Sequence, residues 1–90
     1  MKVSYAMLVF REGQSYVSYA PQLDVSSCGG TPKEAERMLR EAVSLFLEEA
    51  QRLGTLEEVL AEAGYTLGAD GEFHPPSLVA RRDETVEVAP

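Results

Sequence analysis

Few residues of this chain have side chains that commonly carry chemistry, and their spacing decides what each can do. His74 is the sole histidine and stands directly before Pro75-Pro76. With no second histidine or cysteine at ligand spacing it lacks the donor set of a zinc site and reads as an ordinary loop residue. Cys28 is the sole cysteine, so no intramolecular disulfide can form. Without a neighbouring histidine to activate it, the thiol reads as a small packing group closing a strand and is expected to be buried. Asp24, Asp70 and Asp83 are the carboxylates a two-metal nuclease would use if the fold gathered them, and their spread along the chain favours separate solvated or turn carboxylates. Gly29-Gly30-Thr31 precedes a helix start, where free N–H groups attract anions. No phosphate-loop lysine or further glycine pattern accompanies it, and Thr31 and Glu34 claim the same donors. No catalytic residue, metal ligand or cofactor site is assigned.

The segment from Pro21 to Ala35 organises the elements that carry these residues. Leu23 to Cys28 reads as a short strand and Gly29-Gly30 as a turn. Thr31 reads as a helix N-cap whose hydroxyl accepts from a first-turn N–H, with Glu34 reaching back to the N–H of Thr31. Pro32 falls at the first helical position, where its missing N–H costs nothing. Upstream, Val3 to Phe10 is rich in strand formers, with Val3, Tyr5, Met7 and Val9 on one face. Arg11-Glu12-Gly13-Gln14 is a polar turn and Ser15 to Ala20 a second strand ended by Pro21, so the opening third is an antiparallel meander.

Downstream, Ala35, Leu39, Ala42, Phe46 and Leu53 form a helical stripe, widened by Met38, Leu45 and Ala50, with Gly54 as its stop. Thr55-Leu56-Glu57-Glu58 repeats the capping pattern and opens a short helix with Leu56, Val59, Leu60 and Ala63, stopped by Gly64. Residues 65–77 read as a loop with at most a small hairpin around Ala69-Asp70-Gly71, pinned by Tyr65, Leu67 and Phe73. A last strand is expected between Ser77 and Val88, with Leu78, Val79, Val86 and Val88 as its apolar content and Arg81-Arg82-Asp83-Glu84 as a charged middle that marks a sheet edge, a bend or an unpaired stretch. The expected class is α+β with order β-β-β-α-α-β: a three-stranded meander packed by one long and one short helix, with a fourth strand near the C-terminus. Residues 1–90 form a single domain, its core in 3–63 and its loop and C-terminal strand in 64–90.

Ninety residues with fifteen acidic and eight basic side chains give a net charge of −7. That balance disfavours nonspecific affinity for nucleic-acid phosphates and suits a basic partner. No apolar run approaches the length of a membrane span, and the first residues are too mixed for a signal peptide, so a soluble, cytoplasmic protein is expected. So small a core has little stability in reserve, which makes a homo-oligomer, dimer or tetramer, a natural expectation.

The meander with Tyr16-Val17-Ser18 and Pro21-Gln22-Leu23, then Ser27-Cys28-Gly29-Gly30-Thr31-Pro32-Lys33-Glu34-Ala35 and the helix Leu39 to Glu48, resembles the HicB-like antitoxin family over about residues 3–53. The family pattern has the form Pro-x-Leu, a few small residues, Gly-x-Thr-x-Glu-Ala and a helix ending in apolar and acidic residues. Gly30 departs from it, since the family often carries Asp there. The resemblance implies a partial ribonuclease-H-like fold without nuclease activity, which binds a small basic HicA toxin and blocks its messenger-RNA-cleaving surface. Full-length relatives usually add a C-terminal DNA-binding segment. The residues after Gly64 hold no second pair of amphipathic helices, so direct DNA binding is not expected.

Glu41, Glu48, Glu49, Glu57, Glu58 and Glu62 concentrate acid on the two helices. They are both an ordinary solvated surface and a docking surface for a basic protein. Tyr5, Tyr16 and Tyr19 lie on the meander as core, dimer or interface anchors. The expected partner-binding set is Glu41, Glu48, Glu49, Tyr16 and Tyr19, with Thr31 and Glu34 as structural caps. The alternatives are a protein of the same fold that binds another protein or a small ligand, and, from the enzyme class, a metal-dependent nuclease.

Overall fold

Strand formers fill the first third of the chain. In the computed structural model, which describes residues 1–90, they give β1 (Lys2–Val3), β2 (Leu8–Glu12), β3 (Ser15–Ala20) and β4 (Val25–Gly29). The chain continues with α1 (Pro32–Arg52), α2 (Leu56–Glu62), β5 (Thr66–Leu67) and β6 (Glu72–His74). The α+β class and the meander are as the sequence predicts. β2, β3 and β4 form a three-stranded antiparallel sheet in that order. The expected four-residue connection between β2 and β3 is shorter, because Arg11 and Glu12 pair with Tyr16 and Ser15 and leave Gly13-Gln14 as the turn. Gly13 has φ of 64°, the left-handed first position that a two-residue hairpin turn requires.

The strand expected from Val3 to Phe10 is interrupted. Residues 4–7 leave the ladder, and only Lys2 and Val3 pair, in parallel, with Glu72 and Phe73. The return strand is therefore β6, tied back by Ser4 N–H donating to Phe73 O at 3.1 Å. It closes the small hairpin with β5 around Ala69-Asp70-Gly71. The strand expected between Ser77 and Val88 does not form: residues 75–90 have no regular structure, and residues 76–90 are exposed throughout. Pro75 and Pro76 cannot donate to a ladder, which ends β6 at His74.

α1 lies across β3 and β4. Ser18 and Ala20 are fully buried beneath it, and the Ser18 hydroxyl donates to Ala35 O at 2.7 Å. The buried stripe of α1 is Ala35, Leu39, Val43 and Ala50, with Leu47 packed against the same core. Leu45, Phe46 and Leu53, expected on that stripe, stand exposed. Both stripes have helical spacing, and the one that faces β3 and β4 is buried. α1 ends in Gly54 with φ of 75°, where Gly54 N–H donates to Gln51 O and Thr55 N–H to Ala50 O. The same two-bond closure recurs at Gly64 and Tyr65, whose side chain covers Leu60 in the core. Thr55 consequently serves as the end of α1: its hydroxyl donates to Ala50 O, and the expected second capping box is absent.

Candidate functional site

The corner between β4 and α1 is built as a close approach of backbones. A Cβ on Gly29 would stand 2.6 Å from Ala35 N, so only glycine fits there, whereas one on Gly30 would meet nothing within 4 Å. Thr31 Oγ1 accepts from Glu34 N–H at 3.0 Å, as expected of an N-cap. Glu34 reaches one residue further back than predicted and accepts from Gly30 N–H at 3.3 Å. Both side chains are thereby committed to capping.

Alternation along the sheet assigns the remaining candidates to faces. Because Ser18 and Ala20 point at α1, Tyr16 shares their face, while Val17 and Tyr19 point to the open one. Val17 pairs with Cys28, which places the thiol on the open face; it is exposed, not buried as the sequence reading had it. Strand composition could not supply that parity, which is set by the register of β3 against β4. On the same open face stand Leu8 at 44% and Phe10 at 54% exposure. Tyr16 and Tyr19 thus look in opposite directions and cannot serve one surface.

Asp24, expected in a strand, occupies the turn before β4 with φ of 54°. Aspartate tolerates this region because its short polar side chain bonds locally. Here Asp24 Oδ1 accepts from the Tyr19 hydroxyl at 2.9 Å, a bond that raises the pKa of the phenol. Asp24, Asp70 and Asp83 are not gathered: Asp70 lies in the β5–β6 turn and Asp83 on the exposed tail beside Arg81. What the fold does gather is Asp70, Glu72 and His74, whose ligand atoms lie within 4.8 Å of one another. Local bonds account for this grouping. Asp70 accepts from Glu72 N–H at 2.9 Å and pairs with His74 Nε2 at 3.0 Å, and these contacts, the backbone bond foremost, hold its carboxyl below the usual range. Glu72 also faces Lys2 at 3.7 Å.

The acidic residues of the helices divide into paired and unpaired. Glu41 binds Arg37 at 3.2 Å, Glu36 faces Arg40 at 3.8 Å, and Arg52 grips Glu49 through both oxygens, lowering that carboxyl's pKa. Glu48, Glu57, Glu58 and Glu62 enter no ion pair. Of the expected acidic set, then, Glu48 is the one left free to meet a partner. With Arg40 it lines an open cleft of about 440 Å³ between β1 and α1, with Val3, Tyr5, Val43, Leu47 and Leu56 among the apolar walls. A second cleft of about 260 Å³ shares Leu56 and carries Glu57 at its edge. Sequence reasoning missed this cleft, because its walls come from three distant stretches of chain, residues 1–5, α1 and the start of α2. Tyr16 and Tyr19 line neither depression. No helix is long and apolar enough to cross a membrane.

No family model, curated protein or solved structure matches this chain.

Proposed function

We propose that this protein is a HicB-like antitoxin-type binding module that holds a basic, messenger-RNA-cleaving HicA-like toxin and masks its surface. The observation that carries the reading is the largely apolar cleft between β1 and α1, where the unpaired Glu48 stands with Arg40, and the adjoining smaller cleft edged by the unpaired Glu57. Apolar walls with unpaired carboxylates nearby, on a chain of net charge −7, suit a basic protein that inserts an apolar anchor, charge speeding the encounter and burial prolonging it. The corner that bears the family resemblance supports it further: Gly29, Thr31 and Glu34 each have a structural task, and Gly30, the departing position, has open space where a larger side chain would sit. The proposed role is inhibition by binding in the cytoplasm, without chemistry by this chain.

Co-expression with a HicA-like toxin encoded beside this chain tests the proposal. The expected outcome is a stable complex and restored growth, with Glu48→Lys plus Glu57→Lys weakening the complex by roughly tenfold or more. Failure of both complex formation and rescue would sink it. The second reading, a module that binds a small ligand, draws on the same cleft, whose volume of about 440 Å³ falls in the range of ligand pockets.

A further inference from the structure

Beyond the Pro75-Pro76 pair, every residue of the chain is exposed. No backbone hydrogen bond involves residues 75–90, and the side-chain bonds of the tail run only among Arg81, Arg82 and Asp83. Leu78, Val79, Val86 and Val88 are exposed by 82, 93, 82 and 81%. Four large apolar side chains left in water contribute nothing to folding, and their burial against another surface would be favourable. Elsewhere in the same molecule, β2 is an unpaired sheet edge on which every residue is exposed, including Leu8, Val9 and Phe10. The two-residue turn makes Glu12–Ser15 a hydrogen-bonded pair, so alternation sends the N–H and C=O groups of Val9 and Arg11 to the free side. Such an edge is a template for a further strand.

The tail does not pair with its own β2. Pro75 and Pro76 follow β6 directly and break the ladder there. Pro76 packs against Gly64 at the end of α2, where its Cγ lies 3.0 Å from the place a Cβ would occupy. Residues 76–90 are exposed throughout and make no backbone hydrogen bond to their own sheet. We infer that residues 82–86 of one copy add as an antiparallel strand to β2 of a second copy, reciprocally, to give a closed two-fold dimer. Charge selects this occupant and its register. With Asp83 opposite Arg11, Arg82 falls opposite Glu12, Val86 opposite Leu8, Thr85 opposite Val9 and Glu84 opposite Phe10, so both charged pairs are of opposite sign and one apolar pair meets. Parity agrees, since Arg82 and Val86 then share the open face with Glu12 and Leu8. Prolines that keep a segment extended and off its own body favour exchange between copies.

The full-length chain and three full-length variants test this in sedimentation equilibrium. The unmodified chain is expected to be dimeric. Arg11→Glu and Asp83→Arg, each placing like charges opposite one another, are expected to weaken the dimer roughly tenfold. The two substitutions together restore the opposite-sign pair and are expected to recover the dimer, a result that damage to either fold would not produce. A monomeric unmodified chain, single variants that dimerise as well as the original, or a double variant no better than the singles would each overturn the inference.

Discussion

Gly29 and Gly30 are neighbours of identical chemistry with opposite constraints. At Gly29 the backbones of β4 and α1 approach until a methyl group would press on Ala35 N and on Glu34, while Gly30 faces open space. Gly29→Ala is expected to destabilise the protein by roughly 1–3 kcal/mol, the usual cost of overpacking, since the backbone it meets cannot swing aside. Gly30→Ala should stay within about 0.5 kcal/mol. Urea unfolding of the two variants separates them, and equal destabilisation would contradict the close approach. The sequence reveals that a glycine turn precedes the helix, but which glycine is indispensable depends on the angle at which α1 crosses β4.

Among the elements, α1 shows what local signals convey. Thr31, Pro32 and Gly54 mark its ends because caps act within a few residues of chain. Its buried face is a different matter: Leu39, Val43 and Leu47 pack inward while Phe46 and Leu53 remain outside, a choice between overlapping stripes that only the sheet beneath can make. The β5–β6 hairpin is held by a carboxylate and so carries a pH dependence. Asp70 has a lowered folded-state pKa, its causes led by the Glu72 N–H bond and including His74. Its contribution is therefore fully present above the unfolded aspartate value of about 3.9 and is lost as pH falls through the lower folded value. Hydrogen exchange at the Glu72 amide should accelerate in that acid range relative to core amides, and Asp70→Asn should remove this pH-dependent loss. Unchanged relative protection throughout the titration would show that the bond does not hold the hairpin.

For the molecule as a whole, the net charge of −7 is unevenly placed. Ion pairs neutralise Glu36, Glu41 and Glu49 along α1, leaving Glu48 unpaired at the cleft and Glu57 unpaired at the adjoining one. If a basic toxin docks there as proposed, the association rate should fall steeply between low and physiological salt, while the dissociation rate, governed by the apolar walls, should change little. Stopped-flow mixing at several salt concentrations reads both, and a salt-independent association rate would contradict charge steering. The residues announced the meander, the two helices, their glycine stops and the capped corner, because propensity, proline and capping chemistry act over a turn or two of chain. Tertiary structure alone decided that Cys28 faces outward, that the first strand breaks and its beginning joins β6, and that the tail stays off the sheet. The outward thiol and the broken first strand depend on strand register and on the pairing of Lys2 and Val3 with Glu72 and Phe73, contacts between distant parts of the chain that no local pattern encodes.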